Sequence, residues 1–219
     1  MSLLDKILGL IIAYLLGSIP FGYLLVKYVF TRGQDIRQVG SGNIGATNVG
    51  RVAGTKGAVL TYVLDVGKGA LAVFIAGWVS HYDVWWMGAA GLLAIVGHLF
   101  PIWIGFRGGK GVATGVGVYI VLSPYATLSS LLVWVVIVYW KRYVSLASIL
   151  ATAALPLWIL LWDGKIFPKP THQLLGMLIL SILAGALIVA KHHDNIRRLL
   201  KGEEHKIGSR RGQPVGSEV

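Results

Sequence analysis

The feature that most limits this chain is a succession of apolar runs, at about 3–29, 58–79, 85–104, 112–122, 125–140, 144–162 and 172–190. Most reach the ~20 residues that a helix needs to cross a ~30 Å hydrocarbon core. Charged residues make up 13% of the 219, against about 25% in ordinary soluble domains. With a mean hydropathy of +0.70, too little polar surface remains to coat a globule in water. The expectation is an all-α integral membrane protein. One bundle should occupy residues 1–200, followed by a polar, loosely ordered tail at 201–219. The first run is too long for a signal-peptide core and lacks a small-residue cleavage site, so it should persist as a helix.

The fourth and fifth runs are interrupted only by Ser123-Pro124, and either one kinked helix or two short ones would fit. Charge decides between them. Two helices place the N-terminus outside and the C-terminus in the cytoplasm. Most of the twenty Lys and Arg residues then gather on the inner side, as the positive-inside rule requires. The reading is a seven-transmembrane-helix bundle. Tryptophans agree: Trp78, Trp85, Trp86, Trp158 and Trp162 fall at outer ends and Trp103 and Trp140 at inner ends, with Trp134 alone mid-span. The net charge of +11 does not argue for nucleic acid, because the cations lie in short loops between apolar runs.

Three unusual stretches share the inner side, within loops at about 31–57, 105–111 and 191–200. "VGSGNIGATNVGR" (39–51) contains a formal G-x-G-x-x-G. The strand–helix setting of a dinucleotide site is missing, and the Lys-Ser/Thr of a Walker loop is replaced by Ala46-Thr47. The physics of such loops still applies. Glycines let amides turn toward an anion, Ser41, Asn43, Thr47 and Asn48 add donors, and Arg51 adds a planar fork suited to phosphate. "GFRGGKGVAT" (105–114) sets Arg107 and Lys110 around Gly108 and Gly109, beside a helix beginning at Gly111 or Val112, a combination that favours phosphate. In "KHHDNIRRLLKGEEH" (191–205), His192 and Asn195 share a helical face.

Further polar groups lie at membrane depth. Asp65 and Lys68 are spaced to pair, and His98 sits in "VGHLFP". Intramembrane charges are functional candidates by default, although mutual neutralisation accounts for this pair. Ser145 and Ser148 lie one turn apart near the inner face, where serines commonly join helices. Cysteine is absent, no serine lies in G-x-S-x-G, no histidine is followed five residues later by aspartate, and the nine acids are scattered. The residues offer anion binding without an obvious nucleophile, base, metal site or cofactor.

Taken together, "GSGNIGATNVGR", "GHLFPIWIGFRGGKGVAT" and "KHHDNIRRLLKGEEH", with "GSIPFG" (17–22) and "KRYVSLAS" (141–148), resemble the cytoplasmic motifs of the bacterial acyl-phosphate:glycerol-3-phosphate acyltransferase family. The resemblance implies transfer of a fatty acyl group from acyl phosphate to the 1-hydroxyl of glycerol 3-phosphate, giving lysophosphatidic acid and inorganic phosphate in phospholipid synthesis. It implies no cofactor, a multi-pass protein in the lipid of a bacterial inner membrane with its active site facing the cytoplasm, and a peripheral enzyme that supplies the acyl phosphate. It assigns glycerol 3-phosphate to Ser41, Arg51, Lys110, Ser148, His192 and Asn195, and acyl phosphate to Thr47, Asn48, Gly108 and Gly109. Asn43, Ser145, Lys68 and His98 are further candidates for substrate contact. The activated donor explains the missing nucleophile, and a substrate phosphate oxygen is the base the resemblance implies. A phosphate transporter competes with this reading, but the outer half offers little polar path beyond Asp65 and Lys68, and no inverted repeat is visible. A purely structural membrane subunit is a third possibility.

Overall fold

The computed structural model describes residues 2–208, all of whose regular elements are helical. Helix α1 (Leu3–Ser18) opens with a reciprocal cap, the Asp5 amide donating to Ser2 Oγ and the Ser2 amide to Asp5 Oδ2. It breaks at Pro20, which has no amide to continue the ladder and holds Ile19 extended. The chain resumes in α2 (Phe21–Leu24) and a wide turn at Leu25–Phe30, so the expected unbroken first helix is interrupted.

The expected loop at 31–57 is shorter than the glycines suggest. Irregular chain ends at Gly45, and α3 (Ala46–Ser80) follows. Inside α3, Gly54 adopts φ 67° and ψ −172°, a conformation essentially closed to other residues. A short arm, 46–53, therefore meets the long arm at an angle, and Thr47, Asn48 and Arg51 stand on a helix.

Helix α4 (Val84–Leu99) is capped by Asp83, whose carboxylate accepts from the Trp85 amide at 2.9 Å. Helices α5 (Val112–Leu122) and α6 (Pro124–Lys141) are separate, the second of the two arrangements weighed for these runs. Ser123 leaves the helical region and Pro124, lacking an amide, starts the next helix. Ser123 Oγ donates to Asp163, in the wide turn Trp162–Ile166 that follows α7 (Val144–Leu161). Helix α8 (Thr171–Ala190) leads into α9 (His193–Lys201).

Six segments are long and apolar enough to cross a membrane, Leu3–Phe30, Ala46–Ser80, Val84–Ile104, Pro124–Lys141, Val144–Ile166 and Thr171–Ala190. The apolar α5 has 11 residues and spans only about 16 Å. Large side chains such as Leu128, Leu132 and Val135 face outward along α6, a surface stable against lipid and not against water. The interior core joins α3, α4, α5, α7 and α8 through Val73, Ile95, Leu99, Val118, Tyr119, Ile159 and Ile188. Two crossings depend on missing side chains. A Cβ on Gly17 would strike the Ala94 backbone, and one on Gly117 the Val66 carbonyl, so α1–α4 and α3–α5 pack at backbone distance.

The start of the tail is also more ordered than its polarity suggests. The Ile207 amide donates to the Arg142 carbonyl at 2.8 Å, and the Arg142 guanidinium donates back to the Ile207 carbonyl. The remainder of the expected tail, 209–219, lies outside the described residues.

Candidate active site

Arg51, Lys110 and Asn195, far apart in sequence, line one cavity of about 1700 Å³. Ser41, Asn43, Thr47 and Asn48 join them from the first stretch. Ser145 and Ser148 come from the start of α7, His192 from the third stretch, and Asp65 and His98 from deeper in the bundle. Three helices begin on this hollow: α3 at Ala46, α5 at Val112 and α9 at His193. None has a side-chain cap. Their first-turn amides leave positive partial charge at the cavity.

Asn48 organises the first wall. It is 1% exposed. Its Nδ2 donates to the Val39 and Asn43 carbonyls at 2.9 Å, and its Oδ1 accepts from the Ser41 amide at 3.0 Å. The side chain is spent on shaping the loop that carries Ser41 and Asn43. Ile36 and Ile44 plug the loop into the bundle, and Arg37 ties it down by pairing with Asp35 and donating to the Ile104 carbonyl at 3.2 Å.

Gly108 and Gly109 stand behind the cavity wall. Their amides donate to the Leu99 and His98 carbonyls at 3.3 and 3.0 Å. A Cβ at 108 would strike the His98 carbonyl, and one at 109 the His98 ring edge at Nε2. Their amides are thus spent on carbonyls here, and the amides of the first turn of α5 are the ones beside the cavity. Gly111, at φ 85°, swings the chain into that helix. Arg107 is exposed outside the lining.

Lys110 donates to Asn195 Oδ1, and Asn195 Nδ2 donates to Glu204 Oε1 at 2.8 Å. Glu204, from the folded-back tail, also accepts from Ser145 Oγ at 3.0 Å and Arg198 Nε at 2.8 Å. Burial lowers the Lys110 ammonium to about 8, and the Glu204 carboxylate only partly opposes this. Burial likewise lowers His192 to about 4, so it is neutral at pH 7. His192 Nδ1 lies 2.8 Å from the Ile188 carbonyl. That oxygen can only accept, so Nδ1 carries the proton and Nε2 is left as an acceptor. Ser148 Oγ accepts from Trp134 Nε1 at 3.2 Å.

Lys68 does not line the cavity. It is 4% exposed and reaches Asp65 Oδ1 at 2.8 Å, the Ile19 carbonyl just before the Pro20 break at 2.8 Å, and His98 Nδ1 at 2.9 Å.

The chain matches the family described as glycerol-3-phosphate acyltransferase over residues 7–202. The chain belongs to that family. The glycerol-3-phosphate acyltransferase of Aquifex aeolicus is 46% identical over 197 residues, covering 90% of this chain and 96% of that one. That of Desulforamulus reducens is 45% identical, covering 91% and 94%. Crystal structures of PlsY, an integral membrane glycerol 3-phosphate acyltransferase, superpose closely. Its glycerol 3-phosphate form gives a TM-score of 0.83 at 44% identity, covering 93% of this chain and 96% of that one. Its lysophosphatidic acid form gives 0.81 at 43% identity, covering 93% and 95%. This chain is thus a PlsY-type member of the acyltransferase family.

Glu204 and Trp134 also line the cavity, and neither is among the candidate residues read from the sequence. Glu204 sits in a polar segment that reads as solvated tail, and only the turn at Gly202 (φ 72°) hints that the chain doubles back. Trp134 stood out as the single indole away from an interface, a signal that could have flagged it.

Proposed function

We propose that this protein transfers a fatty acyl group from acyl phosphate to the 1-hydroxyl of glycerol 3-phosphate, releasing lysophosphatidic acid and inorganic phosphate. The observation that carries the reading is the convergence of Arg51, Lys110, Asn195 and three uncapped helix starts on one cavity. Such a hollow suits two phosphoryl groups. Crystal forms of PlsY hold glycerol 3-phosphate and lysophosphatidic acid, a substrate and product of the proposed reaction.

Arg51, Lys110 and Ser41 hold the glycerol phosphate. His192 Nε2, a neutral acceptor, serves a glycerol hydroxyl better than a phosphate. The amides opening α3 and α5 receive the acyl phosphate. The hydroxyl oxygen attacks the acyl carbonyl, an ester C–O bond forms, the C–O bond to phosphate breaks, and the hydroxyl proton passes to a phosphate oxygen. The anhydride is already reactive, so holding and orienting both partners supplies most of the acceleration. The acyl chain leaves the cavity along the apolar wall of Val112, Val116, Leu131 and Trp134, which the cavity shares with a small apolar pocket of about 60 Å³ between α5, α6, α7 and α8, and the rest of it runs out into lipid.

In the membrane we read α5 as the seventh embedded helix, the N-terminus as outside, and the cavity as facing the cytoplasm. A peripheral enzyme on that side delivers the donor. The deciding assay gives purified protein in lipid palmitoyl phosphate and glycerol 3-phosphate. Stoichiometric lysophosphatidic acid and phosphate are expected, and a folded protein that releases neither would refute the assignment. Phosphate counterflow in liposomes without acyl transfer would instead favour a transporter.

A further inference from the structure

The acyl-transfer reading leaves a buried trio, Asp65, Lys68 and His98, with no task. Each is at most 4% exposed, although Asp65 and His98 touch the cavity. The arrangement invites comparison with a carboxylate-oriented general base, in which aspartate would hold Nδ1–H and leave Nε2 to abstract a proton. The distances oppose that assignment. Asp65 Oδ1 is 3.5 Å from His98 Nδ1, whereas Lys68 Nζ is 2.9 Å away. An ammonium has three donors and no acceptor. Lys68 directs two of them at the Ile19 carbonyl and His98 Nδ1 and pairs in charge with Asp65. Nδ1 must therefore accept, and a neutral His98 carries its proton on Nε2. His192 has the opposite tautomer, because its Nδ1 faces a carbonyl.

The Nε2 edge of His98 fills the space that a Cβ of Gly109 would need, directly behind Lys110 and the start of α5. No protein acceptor is recorded for Nε2 among the described residues. We propose that His98 is a catalytic residue whose Nε2–H donates to a phosphoryl oxygen in the cavity, with Lys68 and Asp65 as positioning residues that fix its tautomer. A neutral, preoriented donor beside a sunken phosphate stabilises developing charge without carrying a proton away. Gly109 is glycine so that this edge can reach the cavity wall.

The test is ¹⁵N-histidine NMR on the full chain in lipid nanodiscs, with His98 assigned by difference against His98→Gln. The unliganded protein should show Nδ1 unprotonated and Nε2 protonated. Adding glycerol 3-phosphate, or the phosphonate analogue of palmitoyl phosphate, should shift Nε2, and the compound that shifts it identifies which phosphate is served. In turnover, His98→Ala should lower kcat about 100-fold, as loss of a preorganised donor does, and His98→Gln, which retains an N–H, should recover part of the rate. Lys68→Met should move the proton to Nδ1. An Nδ1–H tautomer in the wild type would overturn the proposal, as would an Nε2 signal that ignores both compounds at saturating concentration. A wild type that transfers no acyl group would instead defeat the acyl-transfer reading, and the tautomer measurement would still decide the role of the trio.

Discussion

At the scale of single residues, Lys110 is the group whose behaviour follows most directly from its surroundings. Burial holds its pKa near 8, so the free enzyme loses this charge as pH rises through 8, and a phosphate ligand restores it. The kcat/KM for glycerol 3-phosphate should fall above about pH 8, while kcat, which reports the loaded enzyme, should fall only at higher pH. In Lys110→Arg, whose guanidinium stays protonated, the limb in kcat/KM should vanish although the variant is slower. Calorimetry at pH 8.5 in buffers of different ionisation enthalpy should register proton uptake on binding. For stability the sign is reversed: the unfolded lysine keeps its proton up to 10.5. The buried charge therefore costs stability at neutral pH, and the cost is relieved as pH rises from about 8 toward 10.5. Arg51→Ala should nearly abolish turnover through KM for glycerol 3-phosphate, since no other side chain on the short arm of α3 offers a fork to phosphate.

At the scale of elements, the bend of α3 at Gly54 aims that short arm. Nothing lies within 4 Å of the place a Cβ would occupy, so Gly54→Ala tests backbone conformation alone. It should cost about 1–3 kcal/mol of strain or straighten the helix. In either case KM for glycerol 3-phosphate should rise tenfold or more, with a smaller change in Tm. Gly117→Ala should act oppositely, lowering Tm by forcing α3 and α5 apart, at a cost of about 1–3 kcal/mol. The two helices of the 112–140 region were legible because Ser123-Pro124 is a local stop signal. The start of α3 was not legible. Gly40, Gly42, Gly45, Gly50 and Gly54 read as a loop, whereas helicity from Ala46 is imposed by packing of Val49 and Asn48 into the bundle. That the three stretches converge was legible in their donors, cations and glycines, and most of those residues line one cavity. The contacts of Asn48, Gly108, Gly109 and Glu204 were not legible, since they are set by tertiary partners that spacing does not reveal.

At the scale of the whole molecule, orientation is the untried element of the proposal. The chain has no cysteine of its own, so Lys165→Cys and Lys201→Cys each introduce a single reporter. On intact cells a membrane-impermeant maleimide should label the first and spare the second until the membrane is opened. The reverse pattern would turn the cavity away from the cytoplasm. The shortness of α5 has one more consequence. On the proposed topology the cavity reaches its first turn from one side, so only its 11 residues, about half the usual insulating thickness, would separate two aqueous compartments there. On that reading the close glycine contacts around α5 and the Ser123–Asp163 latch at its far end would also serve as an ion seal, and a cell that loosened them would gain a leak along with a slower enzyme.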